Sequence, residues 1–179
     1  EIMVVDEAGN EVADGEPGEL VTRGPYTIRG YYNAPERNAE AFLPGGWYRM
    51  GDVVRRRGRY VYTEGRRKDM INRGGEKISC EEVENLILAH PHVKSAVLVG
   101  MPDPVFGEKA CACVVPLPGH TLSFADLIAF LRERQIASFK LPKRVFFVVE
   151  LPRNSMGKVQ KAVLREKFSS GTAGPREET

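Results

Sequence analysis

Residues 65–84 read GRRKDMINRGGEKISCEEVE, and two kinds of chain meet inside them. The first five, Gly65-Arg66-Arg67-Lys68-Asp69, are charged and lack apolar periodicity, the composition of a linker or hinge between rigid bodies. Asn72-Arg73-Gly74-Gly75-Glu76-Lys77 is a glycine-centred turn between short strands. Ser79-Cys80-Glu81-Glu82 has the form of a capping box, with serine at the N-cap and glutamate three residues on. Val83, Leu86, Ile87 and His90 then recur at helical spacing until Pro91 closes the helix.

Downstream of this stretch the pattern stays regular. Apolar runs at 93–99, 109–116 and 144–149 predict three strands. A second capping box, Ser123 with Asp126, opens a helix whose stripe is Phe124, Leu127, Ile128 and Leu131. A short helix is expected over 161–168, and the polar tail 169–179 reads as disordered. Helix, strand, strand, helix, strand, helix is the order of a compact α+β domain, a three-stranded sheet with flanking helices. Upstream, glycine and proline punctuate short strand candidates at Ile2–Val5, 18–23, 52–56 and 60–63, with one helix at 35–42 begun by Pro35. The expected organisation is therefore a β-rich unit over 1–66, an α+β domain over 67–168 and a tail. A strand at residue one, without an initiator methionine, is what a piece of a longer chain looks like.

Bulk properties narrow the function classes. A formal net charge of +2 over 179 residues gives no general attraction to nucleic acid or membrane. No apolar run reaches the ~20 residues of a spanning helix, and no signal peptide is visible. The cysteines are Cys80, Cys111 and Cys113. The last two alternate with alanine in a strand and should share a face, as small buried hydrophobes in a reducing, cytoplasmic setting. With His90, His92 and His120 they form no recognisable metal-ligand spacing, so no metal site is expected.

The loops carry the chemical interest. Tyr48-Arg49-Met50-Gly51-Asp52 sets an aspartate after a glycine, just before a strand. Asn154-Ser155-Met156-Gly157-Lys158-Val159-Gln160-Lys161 sets a lysine directly after a glycine, in a polar loop between two patterned elements. This is no P-loop, since the second glycine and the Ser/Thr after the lysine are missing. Taken with Gly18-Glu19-Leu20-Val21-Thr22-Arg23-Gly24, with Arg29-Gly30-Tyr31-Tyr32 and with residues 65–84, these loops resemble the C-terminal part of the AMP-forming ligase superfamily. That superfamily comprises acyl- and aryl-CoA synthetases, adenylation domains and luciferases. The resemblance runs collinearly from Gly18 to Phe168 through "GEL…RG…GY", "YRTGD", "GRxKD", a glycine loop with "E-x-E", and "NxxGKVxK". Within it, "GPYTIRGYY" and "INRGGEKIS" are most similar to aryl-acid ligases of siderophore synthesis, which load 2,3-dihydroxybenzoate or salicylate onto a carrier protein.

The resemblance implies a two-step chemistry. An acid and ATP give an acyl-adenylate, and a pantetheine thiol, of coenzyme A or a phosphopantetheinyl carrier protein, then takes the acyl group. Asp52 would accept from both ribose hydroxyls, a role suited to a carboxylate, and Arg66 would add a ribose contact. Lys158 would meet negative charge in the adenylation transition state, with Gly157 giving it room. Asp69 would be the pivot of a mobile C-terminal domain, and Gly74 and Gly75 would line the pantetheine channel, where close backbone approach is needed. Met50 stands for the usual threonine and Val53 for the usual leucine. Nothing here matches the family's phosphate loop or acid pocket, so Mg²⁺ would be held mainly elsewhere, and this segment alone is expected not to adenylate. Other readings are a fatty or short-chain acyl-CoA synthetase, a carrier-protein docking module, and a nucleic-acid module built on Arg55-Arg56-Arg57-Gly58-Arg59 with Tyr60 and Tyr62.

Overall fold

The structure, a computed structural model, describes residues 1–169 and 177–178. The chain divides into two compact units, Glu1–Lys68 and the residues from Asp69 onward, two positions past the expected division.

The first unit contains β1 (Ile2–Val5), β2 (Pro17–Thr22), α1 (Pro35–Ala41), β3 (Phe42–Leu43), β4 (Trp47–Arg57) and β5 (Tyr60–Arg66). These strands form one antiparallel sheet in the order β1-β2-β4-β3, with β5 also on β4. Pro35 starts α1 as expected. The strand read at 52–56 is the second half of the longer β4, which pairs with β3 at Trp47 and Tyr48 and with β5 from Asp52 onward. Its first half carries no apolar run, so it left no strand signal. Val4, Val5, Val21 and Val54 make the small buried core.

A 3-10 turn, Arg67–Asp69, leads into β6 (Met70–Arg73), β7 (Glu76–Ser79), α2 (Cys80–Leu88), β8 (Val93–Asp103), β9 (Gly107–Pro116), α3 (Phe124–Glu133), β10 (Arg144–Phe147), α4 (Lys161–Ser169) and β11 (Glu177–Glu178). The sheet order is β11-β10-β9-β6-β7, with β8 also on β9. Among the described residues of this sheet, only the β9–β10 pairing is parallel. The α+β class holds, and the three expected strands form the centre of a six-stranded sheet. The glycine-centred turn between short strands is the β6–β7 hairpin, and it buries Ile71 and Ile78 in the core. Of the expected tail 169–179, Ser169 closes α4 and Glu177–Glu178 pair with β10, while the rest lies outside the described residues.

Alternation along β9 explains why this sheet is covered on both faces. Ala110, Ala112 and Val114 point into a core with Val83 and Ile87 of α2 and Leu127 and Leu131 of α3. Cys111, Cys113 and Val115 point the other way, against Phe146 and Leu164 and Phe168 of α4. Burial pushes the Cys80 and Cys113 thiols up to about 12, so both are neutral near pH 7. Ser123 and Asp126 form the reciprocal capping box on α3. Ser79 accepts from the Glu82 N–H at 3.3 Å, while the Glu82 carboxylate takes the Lys140 ammonium at 2.7 and 2.8 Å.

His90 and His92, two residues apart, are joined by the distant His120. His92 stacks on His120 at 4.2 Å, His90 lies 5.4 Å from His92, and His90 packs on Phe130 at 4.4 Å. The His92 N–H donates to Nδ1 of His90 at 3.1 Å, which requires that nitrogen unprotonated. Burial first, then His92 and Arg134, lower the His90 pKa. A depressed histidine binds fewer protons folded than unfolded, so its contribution is complete above the unfolded value of about 6.5 and is lost as pH falls through the folded one. The urea midpoint should therefore decline from pH 7.5 to 5.5, and His90→Gln should make that decline shallower. An unchanged slope would remove His90 as its source.

Candidate functional site

In the first unit, the motif loops converge on two carboxylates. Asp52 follows Gly51 on β4 and lies directly opposite Arg66 on β5. Nε of Arg66 reaches Oδ1 of Asp52 at 2.8 Å, with the aspartate side chain 22% exposed. An open cleft of ≈ 410 Å³ adjoins them, lined by Gly51, Arg66, Arg67 and Lys68. Its size is that of a small-molecule site. The charge of its rim is partly compensated, because Asp52 pairs with Arg66 and Glu19 with Arg67 at 3.0 Å, and Lys68 has no ion-pair partner among the described residues.

Glu19 was not singled out by the sequence. It is 7% exposed and takes both Arg49 and Arg67. Three motif segments, residues 18–24, 48–52 and 65–69, are thus cross-linked on one buried carboxylate. A buried charge persists only when paired in this way. A fourth segment joins through the Tyr31–Tyr48 hydroxyl contact at 3.0 Å, which lowers the pKa of Tyr31 and raises that of Tyr48. The signal available in sequence was the shared set itself, a glutamate and two arginines in separate motifs.

In the second unit, Lys158 lies in a loop held almost entirely by Asn154. The Oδ1 of Asn154 accepts from the N–H groups of Met156 at 3.0 Å and Lys158 at 2.9 Å. The Asn154 N–H donates to the Lys158 carbonyl at 2.9 Å, and Arg153 donates to the Gly157 carbonyl at 2.7 Å. Gly157 has φ +79°, and a Cβ there would meet nothing within 4 Å. The glycine is needed for its left-handed backbone, where the sequence suggested room for a ligand. The loop is fixed, yet the Lys158 side chain is exposed, and its ammonium has no partner among the described residues.

Asp69 opens the second unit, and the structure gives it a partner that the sequence did not. Lys161, at the start of α4, lies 2.9 Å from Oε1 of Glu84 on α2 and 4.0 Å from Oδ1 of Asp69. The same Glu84 oxygen accepts the Leu98 N–H of β8 at 2.7 Å. Burial alone would lower the Lys161 pKa, but Cys80, Glu84 and Asp69 outweigh it and hold it above the ordinary lysine value. Gly74 and Gly75 form the β6–β7 turn with φ +60° and +93°, a pair of left-handed residues that favours glycine.

Two arginines of the basic run on the β4–β5 hairpin are neutralised at home. Arg55 pairs with Glu64 at 2.7 Å, and Arg56 reaches Glu11 at 3.0 Å and Asp14 at 3.7 Å. Among the described residues, no three His, Cys, Asp or Glu side chains converge as a metal site, and no helix is long and apolar enough to cross a membrane.

Comparison with known proteins agrees with this arrangement. Residues 82–158 match the AMP-binding enzyme C-terminal domain. The chain is 52% identical, over 94% of its length, to the 2,3-dihydroxybenzoate-AMP ligase of Bacillus subtilis (strain 168), covering 31% of that protein. It is 54% identical, over 93% of its length, to a salicylyl-CoA synthase / salicylate adenylyltransferase of a Streptomyces species, covering 30% of it. ATP-bound MatB from Rhodopseudomonas palustris superposes with a TM-score of 0.86 at 38% identity, over 97% of this chain and 35% of that one. The chain thus spans about a third of the length of the relatives it matches. By its motifs, its fold and these matches, the chain carries the AMP-binding enzyme C-terminal domain over residues 82–158 and is similar, over nearly its whole length, to proteins named as AMP-forming aryl-acid ligases.

Proposed function

We propose that this chain is the C-terminal portion of an ATP-dependent, AMP-forming aryl-acid ligase, which adenylates an aromatic carboxylic acid and passes the acyl group to a pantetheine thiol. The observation that carries this is the high identity, over nearly the whole chain, to two relatives named for aryl acids. The geometry supports it residue by residue. Asp52 presents a carboxylate beside a cationic cleft of nucleotide-compatible size, and its pairing with Arg66 orients it for a ribose diol. Lys158 offers an uncommitted ammonium on a rigid loop, which suits charge stabilisation in the adenylation step. Asp69 stands at the division between the two units, where a pivot would be. The Gly74–Gly75 turn would face the pantetheine arm.

ATP is the nucleotide substrate in this scheme, and Mg²⁺ would accompany its phosphates. The described residues hold no carboxylate set fitted to a divalent cation, so no step assigned to this chain passes through the metal. The acceptor is coenzyme A or a phosphopantetheinyl carrier protein, which share the pantetheine arm. Three buried cysteines outside any disulfide fit a reducing compartment such as the cytoplasm. A nucleic-acid role draws little support, because Arg55 and Arg56 are already held by carboxylates of their own unit.

The test is acid-dependent ATP–pyrophosphate exchange by the complete enzyme, across aryl, short-chain and long-chain acids. Exchange is expected with hydroxybenzoates. Exchange confined to fatty or short-chain acids would move the substrate class, and no exchange with any acid would overturn the ligase assignment.

A further inference from the structure

The β6–β7 turn is gripped from three sides by residues that no adenylation role explains. Oε2 of Glu108, near the start of β9, accepts the Asn72 N–H at 2.8 Å. Oδ1 of Asn72 in turn accepts the Gly75 N–H at 3.0 Å. On the other side, the Gly74 N–H donates to the Phe106 carbonyl at 2.8 Å, and the Arg73 guanidinium lies 4.2 Å over the Phe106 ring. Phe106 is itself set by Asp103, whose Oδ1 accepts the Val105 and Phe106 N–H groups at 3.1 and 3.0 Å. The fold also keeps space for the glutamate: a Cβ at Gly100 would lie 2.8 Å from its Oε1. A bare glycine turn is entropically loose, and this one is tied to the β8–β9 hairpin, through a glutamate 36 residues from Asn72 and through the Phe106 carbonyl.

We propose that Glu108 is a positioning residue for acyl transfer: through Asn72 it fixes the Gly74–Gly75 turn in the one form that receives the pantetheine arm. This rests on the ligase function proposed above and deepens it, since Glu108 acts on the thiol half-reaction alone. The two contacts act in series. Losing either one frees the same turn, and losing both does little more. A fixed turn lowers the cost of ordering the channel when the thiol arrives, so its loss should appear in acceptor affinity.

The experiment uses the complete enzyme and measures the half-reactions separately, with ATP–pyrophosphate exchange for adenylation and thioester formation from supplied acyl-adenylate with pantetheine as the thiol. Glu108→Ala and Asn72→Ala should each raise the KM for pantetheine about tenfold, the loss of one hydrogen bond to or through a charged group. Exchange should stay within about twofold of wild type. The double variant should match the singles, and Glu108→Gln, which keeps an accepting oxygen, should restore most of the affinity. Asn72 is exposed, so its variant tests the relay even if Glu108→Ala folds poorly. Unchanged pantetheine kinetics in Asn72→Ala, or equal loss of both half-reactions in the variants, overturns the positioning role. A wild type that exchanges pyrophosphate but makes no thioester with pantetheine overturns the acceptor turn, and one that does neither overturns the ligase function itself.

Discussion

Lys158→Ala in the complete enzyme is expected to cut ATP–pyrophosphate exchange by about a hundredfold or more, while thioester formation from supplied acyl-adenylate stays within about threefold. The asymmetry follows from where the charge is needed. Adenylation gathers negative charge on the acid and the α-phosphate, and one well-placed cation typically contributes about 3 kcal/mol to such a transition state. Transfer to the thiol begins from an adenylate already made. The structure adds a reason to expect a clean result. Hydrogen bonds made by Asn154 and Arg153 hold the backbone of the loop, and none of them uses the Lys158 side chain. Removing the ammonium should therefore leave the loop standing, and the thermal midpoint should be unchanged. Equal loss of both half-reactions, or a lowered midpoint, would show that Lys158 supports the fold and would remove it from the chemistry.

The same loop shows what could be read from sequence. Glycine before lysine in a polar loop was legible as an unusual demand, but the reason was not. The demand comes from a left-handed residue that lets Asn154 close the turn. Local rules did well where the cause was local. The Ser123–Asp126 cap, the Pro35 helix start and the shared face of Cys111 and Cys113 each depend on neighbours within a few residues. The pairing of Asp52 with Arg66 needed only a hairpin, because strands joined by a short turn place such residues opposite each other. What escaped was non-local and polar. Glu19 collects arginines 30 and 48 residues away, and Lys161 finds Glu84 at a separation of 77. No periodicity marks such contacts. A lysine at the start of an amphipathic helix looks like a solvated one until the opposing helix is known. The tie between the β6–β7 hairpin and Glu108 was hidden for the same reason, since Asn72 and Glu108 lie 36 residues apart.

Lys161→Met should cost about 2 kcal/mol of stability at pH 7, although it keeps the volume and apolar stem of the side chain. Lys161 and Glu84 are each only 18% exposed, and the glutamate is tied to β8, so it cannot swing into water when its cation is removed. Breaking a fully buried pair typically costs about 3–5 kcal/mol, and the residual exposure here lowers the expectation. The pH dependence identifies the cause. The Lys161 pKa is raised by its surroundings, so its contribution is complete below the unfolded value of about 10.4 and is lost as pH rises through the folded one. The difference in stability between wild type and Lys161→Met should accordingly be flat from pH 6 to 9 and shrink at higher pH. A double variant, Lys161→Met with Glu84→Gln, should recover part of the loss, because the stranded charge is gone and the glutamine oxygen can still take the Leu98 N–H. Denaturant unfolding of the four proteins of this cycle reads all three outcomes. Additive losses would mean that the lysine and glutamate are not coupled. Coupling would show that the start of α4, three residues after Lys158, is anchored to the Glu84 carboxylate, within a cluster in which Asp69, the first residue of the unit, lies 4.0 Å from the same ammonium.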